Sequence, residues 1–223
     1  MKGVVMVSAS FFPYIGGAEK QALELSAELR RRGLDVVIAT RRLPGLAAQE
    51  EVQGVPVFRL ACRGSDVVNA VTFMVSLANF LWRRRSTYDV IHVHLAGSPA
   101  LTAVVMGKLL GKRVFVKLGG GAGIGELAVS ARTLSGRLKI KALAWLKPQM
   151  LAVARELTGE ARKYLGAVPV YVLPNGVDME SEVQVLGHVA IAFRRAGRTY
   201  VVLARQSRVD MQRIASHFGR VAH

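Results

Sequence analysis

Cysteine is nearly absent from this chain, since Cys62 is the only one among 223 residues. A single cysteine excludes an intrachain disulfide framework and a cysteine-based metal site. Disulfides are rare in the reducing cytoplasm, and the composition fits that compartment. We therefore expect a cytoplasmic protein.

Acidic residues are also scarce: 15 Asp and Glu stand against 31 Lys and Arg, which gives a net charge of +16. This excess favours anionic partners, which include phosphates, nucleic acid and acidic membrane surfaces. Aromatic residues make up only 7% of the chain and are not interleaved with basic residues on strands. Because no nucleic-acid recognition motif is present either, we expect no nucleic-acid partner.

Long hydrophobic runs are missing as well. The longest apolar stretch, residues 67–82, is interrupted by four polar residues and is short for a membrane span, so it predicts a buried helix. The first ten residues are typical of a strand and not of a signal peptide. Arg83–Arg85 complement the dipole at the end of the helix. Alternatively, these arginines, helped by the nearby Phe80 and Trp82, make peripheral contact with an anionic membrane.

The chain does contain a regular alternation of apolar, β-branched runs and amphipathic segments. It predicts strands at 3–8, 35–40, 55–60, 89–94, 113–118, 150–154 and 168–174. It predicts helices at 18–33, 67–85, 99–111, 126–147 (weakened at Gly136) and 155–166. This order is typical of an α/β fold with a doubly wound parallel sheet of about seven strands.

The alternation ends after Asp178, which divides the chain into a domain at 1–178 and a basic tail at 179–223. The tail carries seven arginines and one weak strand pattern, at 199–204. We expect about two helices and that strand there, which is too little for a second domain of similar size.

Four motifs begin where a predicted strand ends: residues 14–21, 92–98, 117–126 and 173–178. Open α/β sheets bind their ligands outside the carboxyl ends of the strands. The four motifs should therefore meet along one cleft.

Gly16 and Gly17 follow the first strand and open a helix that has Glu19 in its first turn, and we expect these three residues to bind substrate. Glycine lets the backbone approach a ligand closely, and a helix N-terminus attracts phosphate. The alternative is a tight turn that needs positive φ. The dinucleotide fingerprint G-x-G-x-x-G is absent from this turn, and no G-x-x-x-x-G-K-[ST] phosphate loop occurs in the chain.

His92 and His94 are two residues apart on a strand and should share one face. No third metal ligand is evident, so we expect neither a metal site nor a cofactor. His94 lies at the carboxyl end of the strand, where a neutral imidazole can bind a substrate hydroxyl or take its proton. His92 lies one step deeper, and we interpret it as structural.

Lys117 interrupts an apolar strand two residues before the glycine-rich run 119–125. A buried lysine must find an anion or reach solvent. Backbone N–H groups at Gly119, Gly120 and Gly121 could form a nest for an anion. The alternative is a mobile loop beside an edge-strand lysine that extends to solvent.

Five segments, in this order, resemble the N-terminal domain of family 4-like glycosyltransferases. These enzymes have the GT-B fold, in which two Rossmann-like domains face each other across a cleft. The resemblance spans residues 1–178, and it is carried by FFPYIGGAEKQALELSAELRRRGLDVVIAT, YDVIHVHLAG, RVFVKLGGGAGIGEL, AVARELTGEARKYLG and VYVLPNGVD.

The resemblance implies a retaining transfer of sugar, without an obligatory metal, from a nucleotide-sugar donor to a glycan or lipid-linked acceptor. It identifies 1–178 as the Rossmann-like, acceptor-side domain. It places Gly16 and Gly17 near the donor phosphates and His94 near the reacting sugar. Lys117 and Gly119–Gly121 stand where many members have a histidine-glycine pair, and Asn175 lies at the hinge.

The family's second domain, which binds the nucleotide, carries a basic Arg/Lys pair and a paired-glutamate motif that residues 179–223 lack. We therefore expect an acceptor half whose donor-binding domain is missing, degraded or supplied by a partner chain. Such a chain should transfer sugar poorly by itself. The alternatives are a non-catalytic binding module, a truncated remnant of such an enzyme, or an unrelated anion-binding Rossmann-type protein.

Overall fold

The computed structural model describes residues 3–14, 16–121 and 124–173, and the backbone of three strands between 183 and 204. The chain divides into two compact units, residues 1–174 and 175–223.

The described part of the first unit alternates strands and helices as the sequence predicts. Its strands are β1 (Gly3–Ser8), β2 (Asp35–Arg41), β3 (Gln49–Val52), β4 (Val55–Leu60), β5 (Val90–His94), β6 (Arg113–Leu118), β7 (Gly120–Gly121), β8 (Ile124–Gly125), β9 (Gln149–Ala152) and β10 (Val170–Val172). Its helices are α1 (Gly17–Arg31), α2 (Asp66–Arg83), α3 (Ser98–Leu109), α4 (Glu126–Ser130), α5 (Leu134–Leu146) and α6 (Arg155–Leu165).

The main sheet has eight strands in the order β10-β9-β6-β5-β1-β2-β4-β3. Seven are parallel and correspond to the seven predicted strands, which confirms the α/β, doubly wound sheet. The eighth, β3, runs antiparallel to β4 at one edge. It was not predicted because its sequence, QEEV, is mostly polar. The turn at Gln53 (φ 49°) and Gly54 (φ 77°) has the positive φ values of a tight hairpin.

Helices cover both faces of the sheet, and this explains why its strands are continuously apolar. On one face Val4, Met6 and Ile38 pack with Leu23 of α1. On the other face, the alternate residues of the strands pack against α2 to α6. Successive strand residues point to opposite faces, so each strand contributes to both clusters.

The prediction of one helix over 126–147 is wrong, because the segment forms two helices, α4 and α5. The break lies at residues 131–133. Thr133 caps α5 by accepting a hydrogen bond from the Gly136 N–H (3.1 Å). Threonine is a favoured N-cap residue, and this contact starts a new helix in place of continuing the old one.

The second unit contains three described strands, β11 (Val183–Val185), β12 (His188–Arg195) and β13 (Arg198–Ala204), in one antiparallel sheet. The sequence predicted only the last of them. Valine, isoleucine and phenylalanine alternate with smaller or polar residues along β12, and two residues separate it from β13, which is a hairpin pattern. Residues 205–223, the rest of the tail in which about two helices were expected, lie outside the described residues. None of the helices described is both long and apolar enough to cross a bilayer.

Candidate functional site

A row of buried polar side chains crosses five adjacent strands near their carboxyl ends. The strand register pairs Lys117 with His94, His94 with Ser8, Ser8 with Thr40, and Thr40 with Arg59. The side chains share the sheet face that packs on α1, because each follows the apolar residues of that face at two-residue spacing. None of the five is more than 8% exposed.

Sequence reasoning singled out only His94 and Lys117 in this row. Ser8, Thr40 and Arg59 lie at or near the ends of apolar runs, and that position is the signal that could have found them. Their alignment is a property of the strand register, which no single segment of sequence contains.

The two histidines stack with ring centroids 4.5 Å apart and an angle of 15° between the rings. Both nitrogens of His94 and Nε2 of His92 have no hydrogen-bond partner among the described residues. Burial, helped by the charge of Lys117, lowers the pKa of His92 to about 4. Burial first, and then His92 and Lys117, hold the pKa of His94 well below its usual range. Both imidazoles are therefore neutral at pH 7.

His92 lies deeper along β5 than His94, as the sequence predicts, but the exposure of the two side chains does not follow that order. His92 is 8% exposed and His94 only 1%. His94 therefore does not face an open cleft, although it lies at the carboxyl end of β5 as the sequence indicates. A neutral, unpartnered imidazole can accept a hydrogen bond from a hydroxyl and donate one to an oxygen.

Lys117 lies on an interior strand, between β5 and β9, so the interpretation as an edge-strand lysine is wrong. Its Nζ donates a hydrogen bond to Oε1 of Gln21, in the second turn of α1. Burial lowers the pKa of Lys117 to about 8. Gln21 was not predicted, and it connects the glycine turn of α1 to the polar row.

Gly16 and Gly17 do not need positive φ. Gly16 is extended (φ −116°) and precedes α1, and Gly17 is the first helical residue, so the tight-turn alternative is wrong. A Cβ at Gly17 would meet nothing within 4 Å, whereas one at Gly16 would fall 2.5 Å from Oε2 of Glu19. No side chain among the described residues caps the N-terminus of α1, and the space beside Gly17 is open.

The loop after β6 is held by a carboxylate that sequence reasoning did not select. Oε2 of Glu126 accepts hydrogen bonds from the Ala96 N–H (3.0 Å) and the Gly119 N–H (3.4 Å). Burial, as the largest cause, raises the pKa of Glu126. Leu95 has φ 76° directly after His94, an uncommon conformation for a bulky residue. Glu126 thus ties the ends of β5 and β6 together.

The other predicted residues are placed as follows. Gly120 and Gly121 form β7, which pairs with β8. Asn175 lies outside the described residues. The described residues contain no group of three or more side chains suited to a metal ion.

Two cavities in the described part of the chain lie away from the histidines. One, of about 920 Å³, adjoins the carboxyl ends of β2 and β4 and contains Arg41, Arg42 and Arg63. The other, of about 730 Å³, lies between α2, α3 and α5. Neither is lined by His94 or Lys117.

Residues 15–181 match the family model described as Glycosyltransferase Family 4. No curated protein matches the chain by sequence.

Solved structures share the fold at low identity. Sucrose-phosphate synthase from Thermosynechococcus elongatus gives a TM-score of 0.58 at 11% identity, over 78% of this chain and 90% of that one. Anabaena Alr3699/HepE, in complex with UDP, gives a TM-score of 0.56 at 14% identity, over 79% of this chain and 45% of that one. The catalytic domain of starch synthase IV from Arabidopsis thaliana, bound to ADP and acarbose, gives a TM-score of 0.55 at 15% identity, over 80% of this chain and 52% of that one. The chain spans about half the length of the last two proteins. Its first unit has the Rossmann-like fold of a GT-B domain.

Proposed function

Since this chain belongs to glycosyltransferase family 4, we propose that it supplies the acceptor side of a cleft in which a sugar passes from a nucleotide-sugar donor to an acceptor. We further propose that the anomeric configuration is retained. The observation that carries this proposal is the buried polar row, whose His94 has two unpartnered ring nitrogens.

His94 is the proposed catalytic residue. Its imidazole is neutral at pH 7, so one nitrogen accepts a hydrogen bond from a sugar or acceptor hydroxyl while the other donates. At 1% exposure it contacts a substrate only after the groups that cover it move. Substrate binding is therefore coupled to a local rearrangement, which also excludes water from the reaction.

The N-terminus of α1 is the proposed site for the donor phosphates. A helix N-terminus carries a partial positive charge and free N–H groups. Gly17 leaves open space beside it, and none of the described side chains caps it. Glu19 lies in this first turn, beside Gly16, and is a proposed substrate-binding residue whose carboxylate accepts hydrogen bonds from sugar hydroxyls.

Lys117 and the glycine loop complete the proposed substrate side. At pH 7 the ammonium of Lys117 is charged, since its pKa is about 8. Gln21, in the second turn of α1, accepts a hydrogen bond from Nζ of Lys117 and holds it near the N-terminus of that helix. The N–H groups of Gly120 and Gly121 are the proposed backbone donors, whereas the Gly119 N–H donates to Glu126 and so fixes the start of the loop.

Departure of a nucleoside diphosphate develops negative charge, which preorganised cations and N–H donors must meet. We propose that most of these groups come from a donor-binding domain or partner chain, with Asn175 at the hinge. Peripheral contact with an anionic membrane is proposed for the end of α2, where Trp82 and Arg83 are exposed. Arg84 and Arg85 already stack on Phe58 and Trp82.

The test is release of nucleoside diphosphate from a panel of UDP-, ADP- and GDP-sugars. The chain is assayed alone and with a co-expressed donor-binding domain, as wild type, as His94→Ala and as Val93→Ala. We expect little turnover by the chain alone. In the complete enzyme, His94→Ala should lower kcat by about 10²-fold or more, the range of general acid–base catalysis.

Val93→Ala is the matched control, because it truncates the adjacent buried residue on the opposite face. It should keep turnover near the wild-type rate. Equal activity of the two variants would remove His94 from the mechanism. Efficient transfer by the 223-residue chain alone would contradict the need for a second domain.

A further inference from the structure

The cavity of about 920 Å³ at the carboxyl ends of β2 and β4 plays no part in the site described above. We call it the arginine cavity, after Arg41, Arg42 and Arg63 in its lining. Its volume lies in the range of small-molecule sites. Cys62 and Asp66 also line it.

Arg41 is held in place without being neutralised. Its guanidinium carbon lies 5.3 Å from the ring centroid of Phe73, which is fully buried in α2. Its Nε is buried and has no hydrogen-bond partner among the described residues. An arginine fixed by an aromatic ring, with an unused buried donor, is ready to bind an oxyanion.

The other two arginines extend from a loop framework that internal hydrogen bonds hold. Arg42 donates through Nε to the Leu46 carbonyl (3.2 Å), and its own carbonyl accepts from the Cys62 thiol (3.2 Å). The Arg63 N–H donates to Oγ1 of Thr72 (3.0 Å). Among the residues that the structure describes, no carboxylate forms an ion pair with any of the three guanidiniums.

The charge of the cavity indicates the ligand. Three guanidinium groups and one carboxylate, that of Asp66, leave a net charge of 3 − 1 = +2. A phosphate monoester carries about −1.5 to −2 at pH 7, whereas a carboxylate carries only −1. Arginine also matches the geometry of phosphate oxygens with two parallel hydrogen bonds.

We propose that the arginine cavity binds the phosphoryl group of a phosphorylated sugar acceptor. This assignment rests on the proposed function, because it names the acceptor class of that site. Arg41 directly follows Thr40 at the carboxyl end of β2, so its side chain lies on the opposite sheet face from the polar row, two strands from His94, or about 10 Å at the usual strand spacing. A phosphoryl group held there leaves the remainder of the acceptor free to extend towards His94.

Cys62 provides a direct probe of occupancy, because it is the only cysteine and lines the cavity. The rate of its alkylation by iodoacetamide, an uncharged reagent, is followed by intact mass at constant ionic strength. The added ligands are glucose, glucuronate, glucose 6-phosphate and UDP. We expect glucose 6-phosphate to slow alkylation several-fold and saturably, and the other three to act much more weakly.

The variants Arg41→Gln and Arg42→Gln test the assignment to these side chains. Each should raise the glucose 6-phosphate concentration needed for half protection by about tenfold or more, the usual size of a lost charge-assisted hydrogen bond. Arg85→Gln is the matched control, since Arg85 stacks on Trp82 at the far end of α2, and should protect like wild type. Arg42 is exposed, so its replacement does not endanger folding. Broadening of the ³¹P signal of glucose 6-phosphate gives the same titrations without a reaction at Cys62.

Equal protection by glucose or glucuronate would overturn the assignment of a phosphoryl group. Stronger protection by UDP would place the phosphate on the donor and overturn the acceptor assignment. Unchanged protection in both arginine variants would overturn the site itself. Arginine-dependent protection in a chain that transfers no sugar even with a donor-binding domain contradicts the proposed function alone, whereas transfer without protection contradicts this inference alone.

Discussion

His92 and His94 occupy positions that stability alone does not favour. A buried polar group without a hydrogen bond destabilises the fold by about 1–3 kcal/mol, and three of the four ring nitrogens lack a partner among the described residues. Local departures of this kind are expected where function has shaped the sequence. The neighbouring Leu95, at φ 76°, adds backbone strain at the same point.

Protonation of these histidines should make stability fall in mild acid. The pKa of His92 is about 4 in the folded protein and that of His94 is also well below 6.5, whereas both regain ordinary values on unfolding. Between pH 6.5 and 4 the unfolded chain therefore binds more protons, so stability rises with pH. Each histidine contributes a slope of up to about 1.4 kcal/mol per pH unit.

Urea denaturation from pH 4 to 7 measures this slope. His94→Leu fills the site without a titrating group, so it should reduce the slope by about the share of one histidine. It should also leave stability at pH 7 unchanged or higher, because it removes two unpartnered nitrogens. The raised pKa of Glu126 acts in the opposite direction but is common to both proteins. Identical slopes would show that His94 titrates normally in the folded state.

At the scale of elements, two helical glycines that look equivalent in sequence have opposite surroundings. A Cβ on Gly136, in the first turn of α5, would fall 1.8 Å from the Ser130 carbonyl oxygen, which belongs to the backbone and cannot turn aside. A Cβ on Gly159, within α6, would meet nothing within 4 Å. Gly136 therefore allows α4 and α5 to approach, and Gly159 has no comparable role.

Alanine substitution should separate the two glycines. Gly159→Ala should stabilise the protein by about 0.5–1 kcal/mol, because alanine is the better helix former. Gly136→Ala should destabilise it by several kcal/mol or displace α4 from α5, since overpacking against backbone is not relieved by a rotamer change. Thermal or urea unfolding of both variants makes the comparison. A similar effect at the two positions would mean that the close approach at Gly136 does not exist.

The sequence predicted the elements of the first unit well because each is marked locally. Apolar runs revealed the seven parallel strands, and glycine, proline and charge order marked the helix ends. Strand β3 escaped because an edge strand exposed to water can be polar. The break before α5 was not predicted, because the hydrogen bond by which Thr133 caps this helix is evident only in the structure.

The candidate site was likewise predictable only where a local motif marked its residues. Motifs at strand ends indicated His94, Lys117 and the glycines. Gln21, Glu126 and the arginine cavity depend on contacts between segments far apart in the chain, such as Gln21 with Lys117. Partner choice, burial and pKa follow from packing, and no periodicity in a single segment records them.

At the scale of the whole molecule, the first unit contains a hydrophobic core of its own. Both described core clusters consist of residues between 4 and 168, so they lie entirely in the first unit. The helices that cover the eight-stranded sheet come from the same residues. A core of this size is sufficient for independent folding of a domain.

A chain that ends at residue 174 should therefore fold by itself. We expect one cooperative unfolding transition with a Tm within a few degrees of the full chain, because a loss of 1 kcal/mol moves the Tm of such a domain by only about 2–4 °C. Differential scanning calorimetry measures both proteins, with the Gly159→Ala change introduced into each as a matched reference. An equal upward shift in both would show that the same core unfolds. A shortened chain that aggregates or unfolds without cooperativity would mean that residues 175–223 contribute to the stability of the first unit.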